Sequence, residues 1–137
     1  MLKVLTSKVK WSVPESFHSF LEEQIDGSGM FLMNLRNSSY TALNGGIRPV
    51  EISLKKEEGE VWIYYVTDFT YVGYGENSDL VIGTNFDFML SEIQTDFGRY
   101  PMVHDDDDAK EFFEIYMNNL THYIVLELFD KIEIESC

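Results

Sequence analysis

Two aspartates, Asp68 in the otherwise apolar run YYVTDFTYV and Asp87 in TNFDFML, are the residues of this chain best placed to do chemistry. A carboxylate drawn out of water needs partners, and one left short of them can become a general base. Arg48, in GGIRPVEISL, can pair with Asp68 if the strand that follows it lies in register with the aspartate's own. Tyr40, Glu51 and Tyr71 complete the polar and aromatic content of these segments. Two uses of the set stay open. One is structural: an ion pair, or a carboxylate bonded to backbone amides. The other is a polar anchor in an apolar pocket, a common arrangement in ligand sites. Tyr40, Arg48, Asp68, Tyr71 and Asp87 are therefore the candidate pocket residues.

No catalytic constellation accompanies them. His18, His104 and His122 lie in separate segments, and no H-E-x-x-H, C-x-x-C, phosphate-loop or G-x-S-x-G pattern occurs. The GYG at 73–75 lacks the strand-turn-helix context of a dinucleotide site and is expected to be a turn. No catalytic residue, metal ligand set or cofactor is assigned.

The most conspicuous stretch is HDDDDAKEFFEIY, residues 104–116. A calcium or magnesium site needs oxygen ligands converging on one ion, which four adjacent aspartates cannot all supply. A helix start needs less: aspartates cap free backbone N–H groups and complement the positive end of the helix dipole. Asp105, Asp106, Asp107 and Asp108 are expected to form the solvated start of a helix, with a partner-facing acidic patch as the sharper alternative. Helix stability alone does not account for all four.

The elements that position these residues follow from periodicity. VPESFHSFLEEQIDG has the spacing of a short amphipathic helix, with Phe17, Phe20, Leu21 and Ile25 on one face, Pro14 in the first turn and Gly27 at the stop. GMFLMNLRN has strand character. In RPVEISLKK, Val50, Ile52 and Leu54 alternate with Glu51, Ser53 and Lys55, the pattern of a half-buried strand. EEGE is a hairpin turn, and VWIYYVTDFTYVG, apolar on both faces, is the central strand. Simple alternation along it puts Asp68 with Tyr64, Val66 and Thr70, opposite Ile63, Phe69 and Tyr71. TNFDFMLSEIQ is expected to be one further strand with a phase slip before Ile93. Ala109, Phe112, Phe113, Tyr116, Leu120, Tyr123 and Ile124 form the apolar stripe of a second helix. KIEIES closes the chain, with Ile132 and Ile134 inward. Strands joined by short turns, with helices kept apart, indicate an α+β fold: an antiparallel sheet of about four to five strands with an N-terminal and a C-terminal helix.

At 137 residues the expectation is one domain over 1–137, with residues 1–11 flexible or an edge strand. A hydrophobic fraction of 45% excludes a disordered chain, despite a net charge of -14. That charge disfavours direct nucleic-acid binding and membrane-surface binding. No apolar run reaches membrane-span length, no secretion signal is legible, and the lone Cys137 has no partner. A reduced cytoplasmic setting is the simplest expectation.

SSYTALNGGIRPVEISLKK, then VTDFTYVGYG, then NFDF resemble the uncharacterised bacterial family catalogued as domain of unknown function 2787. The family's S-Y, G-G, P-V-E-I, T-D-F-x-Y-V-G and D-F-D-F pattern falls on Ser39-Tyr40, Gly45-Gly46, Pro49 to Ile52, Thr67 to Gly73 and Asn85 to Phe88. Asn85 stands where an acid is expected. The resemblance implies a small α+β domain with a curved antiparallel sheet, similar to the cystatin or NTF2-like folds, and it brings no established activity.

The function expected from all this is a non-enzymatic binding or interaction module. Its partner is an unidentified small molecule or protein, or a second copy joined through a sheet face or edge. One alternative is an enzyme on an NTF2-like cone with Asp68 or Asp87 as general base. The other is an acidic mimic of nucleic acid that occupies a DNA-binding protein.

Overall fold

The computed structural model describes residues 2–6, 9, 11–73, 77–103 and 107–137. The period-two runs become β3 (Val50–Glu57) and β4 (Glu60–Val72), joined by the expected turn, in which Glu58 and Gly59 take positive φ. The strand β2 (Gly29–Arg36) pairs antiparallel with β3. Beyond β4 follow β5 (Asp79–Asp87), β6 (Glu92–Thr95) and β7 (Gly98–Pro101), each antiparallel to its predecessor. The last strand, β8 (Lys131–Ser136), returns to the far edge beside β2. Near the N-terminus, β1 (Lys3–Leu5) runs parallel to the start of β4. The sheet order is β7-β6-β5-β4-β3-β2-β8, with β1 off this path.

Among the described residues the sheet thus has eight strands rather than four or five. TNFDFMLSEIQ is not one strand: it splits at a turn, where Ser91 takes positive φ, into the end of β5 and the start of β6. The first half of β5 is hidden in the sequence by Gly83, and β6 and β7, four residues each, are too short for alternation to register.

Two bulges bend the sheet. Between Ser53 and Leu54 of β3 the register with β4 slips, so that Tyr64 is an extra residue. The slip returns Ile63 to the core face with Val66, correcting the simple alternation, and both are fully buried. Between β4 and β5, Thr67 pairs with Asn85 and Phe69 with Ile82, so Gly83 and Thr84 together oppose Asp68. Extra residues of this kind kink a strand and raise its local twist.

In register across the core face lie Met33, Ile52, Val66, Phe86 and Ile93, all buried. Two helices add their apolar faces to the same cluster: α1 (Glu15–Gln24) through Phe17, Phe20 and Leu21, and α2 (Asp107–Val125) through Phe113, Met117 and Leu120. Each such side chain contributes about 1.5–3 kcal/mol on burial. The stripe of α2 sits slightly around from its expected place, since Met117 and Thr121 are buried while Phe112 and Tyr123 are more than a third exposed. Likewise Ile134 packs on the core while Ile132 is exposed. Opposite the core, Asn34, Glu51, Thr67, Asn85 and Gln94 make a polar row that bonds within itself, Thr67 Oγ1 donating to Asn85 Oδ1 at 2.5 Å.

Candidate functional site

The bulge in β5 creates the site. A backbone N–H displaced from its ladder needs another acceptor, and Thr84 N–H donates to Asp68 Oδ1 at 2.8 Å. Asp68 is 4% exposed, so its own charge also needs satisfaction. Tyr116 Oη, from α2, donates to Oδ2 at 2.8 Å, and Arg48 Nη1 stands 3.4 Å from Oδ1. Arg48 arrives from the loop before β3, placed by the pairing of Val50 with Asp68. The counter-ion expectation is thus met in place, though the pair is long and the Arg48 side chain is 40% exposed. Burial above all, then the charge and hydrogen bond of Asp68, pushes the Tyr116 phenol far above its ordinary value, with Arg48 opposing.

These groups border a cavity of about 340 Å³ between the sheet and α2. Ile47, Val50, Leu120 and Phe129 supply apolar wall, and Arg48 and Asn119 supply polar groups. Among the described residues the guanidinium of Arg48 makes only the contact to Asp68, so its remaining N–H donors are available at the cavity.

The other sequence candidates lie elsewhere. Tyr40 and Tyr71 stack on each other, ring centroids 5.3 Å apart, and border a separate groove of about 450 Å³ with Glu51 and Phe69. Asp87 caps its own turn, accepting from the N–H groups of Met89 and Leu90 at 2.9 Å each. The five candidates therefore do not converge: Arg48 and Asp68 share a pocket, and Tyr40, Tyr71 and Asp87 do not line it. Asp105 and Asp106 lie outside the described residues. Asp107 and Asp108 form the first turn of α2 and are exposed.

Three members of the site were missed. Tyr116 is on the helix stripe, where its ring packs on Phe86, and nothing in its spacing distinguishes hydroxyl from ring. Thr84 acts through its backbone, which carries no sequence signal. Gly83 had one: a glycine inside a strand marks a bulge or a close approach. A Cβ at Gly83 would sit 2.5 Å from Asp68 Oδ1 and 2.7 Å from Arg48 Nη1.

Comparison with known proteins places the chain. The sequence model of the family described as "Protein of unknown function (DUF2787)" matches residues 15–135. The fold is similar to that of the hypothetical protein VC0508 from the VSP-II pathogenicity island of Vibrio cholerae, with a TM-score of 0.78, 31% identity, and coverage of 90% of this chain and 94% of that one. It is also similar to the conserved hypothetical protein VC1805 from pathogenicity island VPI-2 of Vibrio cholerae, with a TM-score of 0.73, 32% identity and 98% of each chain covered. VC1805 is described as sharing structural homology with the human P32 protein. No curated protein matches the chain.

Proposed function

The chain belongs to the family described as "Protein of unknown function (DUF2787)", and from the geometry of its pocket we propose that it is a non-enzymatic module binding a small ligand with an anionic end and an apolar body. The observation that carries this is Arg48, paired at 3.4 Å on one side with a buried carboxylate and open on the other to a cavity of about 340 Å³. Asp68 has donors on both oxygens from three groups, so it orients Arg48 and has little acceptor capacity left to take a substrate proton. That supports an anchor over a general base. Asp87, committed to its own turn, supports the base reading no better. The acidic-mimic reading gains little, because several acids are occupied within the fold: Glu22 with the N–H of Leu2, Glu51 with Tyr65, and Glu114 with Ser12 and Lys110.

An arginine kept near the cavity by a carboxylate offers its outer N–H groups as a planar fork, the geometry that suits a carboxylate or phosphate. The apolar wall of Ile47, Val50, Leu120 and Phe129 then takes the rest of the ligand. A test is an NMR titration of the labelled protein with phenylacetate as probe. Shift changes are expected at Arg48, Asn119 and Tyr116, and Arg48→Met should weaken binding at least about tenfold, the loss of a charged hydrogen bond. Equal binding by Arg48→Met, or no shifts around the pocket, would remove the proposal.

A further inference from the structure

We infer that the groove on the sheet face opposite the core is a second binding site, one that takes a mononucleotide: a planar ring with a phosphate at its far end. The groove measures about 450 Å³, within the roughly 300–1,000 Å³ of small-ligand sites. Asn34 and Arg36 of β2, Phe69 and Tyr71 of β4, Tyr40 from the loop before β3, and Lys131 of β8 line it. Thr67 belongs to the outer polar row, and alternation from it carries Phe69 and Tyr71 to the same face. Alternation from Asn34 does the same for Arg36. The groove therefore lies across the sheet from the Arg48 cavity, and the two share no lining residue.

The strand ladder points to an anion. Arg36 stands directly opposite Lys131 in the antiparallel pairing of β2 with β8, which sets two positive side chains on one face. Like charges directly opposite each other are destabilising, and an anion held between them removes that cost. The chain has ten lysines and arginines against 24 acids, so abundance does not explain two opposed cations. Neighbouring acids leave the charge of Arg36 unanswered. Glu51 accepts from Tyr65 Oη at 2.6 Å, Glu133 pairs with Lys131 at 3.1 Å, and Asp130 accepts from Ser38 N–H at 2.9 Å. Among the described residues the Arg36 guanidinium has no hydrogen-bond or ion-pair partner. The side chain of Lys131 is 59% exposed in its own pair, and surface pairs of this kind contribute little, so it can turn to a bound phosphate.

The aromatic side of the groove selects a ring. Tyr40 and Tyr71 stack at an interplanar angle of 25°, with Phe69 beside them in the lining. Tyr71 is 36% exposed, which leaves ring surface for a base to stack on, and stacking of this kind tolerates any base. The side-chain amide of Asn34, without a partner among the described residues, offers donors and an acceptor to a ring edge or a sugar hydroxyl. A single nucleotide fits better than a polynucleotide. The net charge of -14 repels an extended phosphate chain, whereas one phosphate needs only the local pair of cations.

The test is an NMR titration of the labelled full chain with adenosine monophosphate, adenosine and ribose phosphate as separate probes. The nucleotide is expected to shift the signals of Arg36, Tyr71 and Lys131. Adenosine and ribose phosphate should each bind at least about tenfold more weakly, since one lacks the anion and the other the ring. Arg36→Met and Tyr71→Leu should each weaken the nucleotide by a similar factor of about ten or more. Arg48→Met, across the sheet, should leave its binding unchanged, which separates this site from the other cavity. The Arg36 side chain makes no bond within the described fold, so Arg36→Met stays readable even if Tyr71→Leu unfolds. No shifts around the groove, equal binding by Arg36→Met, adenosine or ribose phosphate binding as tightly as the nucleotide, or loss of binding in Arg48→Met would overturn the inference.

Discussion

Replacing Gly83 by alanine is the sharpest probe of the site, because two principles predict opposite signs. The φ of Gly83 lies outside the left-handed region, so alanine can adopt its backbone. Ordinarily such a change stabilises by about 0.4–1 kcal/mol, because the unfolded chain loses freedom. Here the new Cβ would stand 2.5 Å from Asp68 Oδ1 and 2.7 Å from Arg48 Nη1. The carboxylate cannot swing away without loosening its bonds to Thr84 N–H and Tyr116 Oη, both 2.8 Å long. Arg48, partly exposed, yields more easily and contributes little to the cost. Overpacking costs about 1–3 kcal/mol, so after the entropy gain is subtracted the net expectation is a loss of about 1–2 kcal/mol.

Urea unfolding of wild type and Gly83→Ala measures the sign directly. The clash is assigned to Asp68 by repeating the substitution in an Asp68→Ala background, where the space is free. There Gly83→Ala should be neutral or stabilising, giving a coupling of about 1–2 kcal/mol between the two positions. If Gly83→Ala stabilises the wild type, or if its cost is the same with Asp68 absent, then Asp68 is not packed against β5 and the account of the bulge is wrong.

At alkaline pH two phenols should resist ionisation in the folded protein. Tyr116 is held up by burial and then by Asp68, and Tyr65 by burial and then by its hydrogen bond to Glu51. Both values are raised on folding, so this stabilisation is complete below the ordinary phenol value of about 10 and falls as pH rises beyond it. Ultraviolet titration should therefore show no loss of pre-unfolding amplitude in Tyr116→Phe, and a reduced amplitude would refute its burial against Asp68. At the start of α2, Asp107→Asn and Asp108→Asn should each cost no more than about 1 kcal/mol in thermal unfolding. A larger loss would mean that these charges have a counterpart beyond the helix dipole.

What the sequence made legible follows the range of the interaction that fixes each feature. The α1 face through Phe17, Phe20 and Leu21 and the turn of the β3–β4 hairpin are set by local periodicity and turn chemistry and stand as expected, with Gly59 at positive φ. Pro14, expected in the first turn, lies instead immediately before the helix, and Ile25 just after it. The pairing of Arg48 with Asp68 was inferable as a possibility because both lie on one hairpin, though the bulge after Ser53 is what sets Val50 opposite Asp68. The rest depends on contacts far apart in the chain. Tyr116 reaches Asp68 across 48 residues, and no spacing rule covers that distance. Asp87 shows the opposite failure: a carboxylate among aromatics invited a pocket, but its partners are two and three residues away. Tyr40 and Tyr71 were grouped with Asp68 because they share its segments, yet they line a separate groove.

The bulge at Gly83–Thr84 is the local feature on which the pocket rests. It frees the Thr84 N–H that helps hold Asp68, and through Asp68 it orients Arg48 toward the cavity. The paired segment of β5 that meets β6 begins only at Asn85, just past the bulge. Gly83 lies against the Arg48–Asp68 pair, with no room for a Cβ beside Asp68 Oδ1 or Arg48 Nη1.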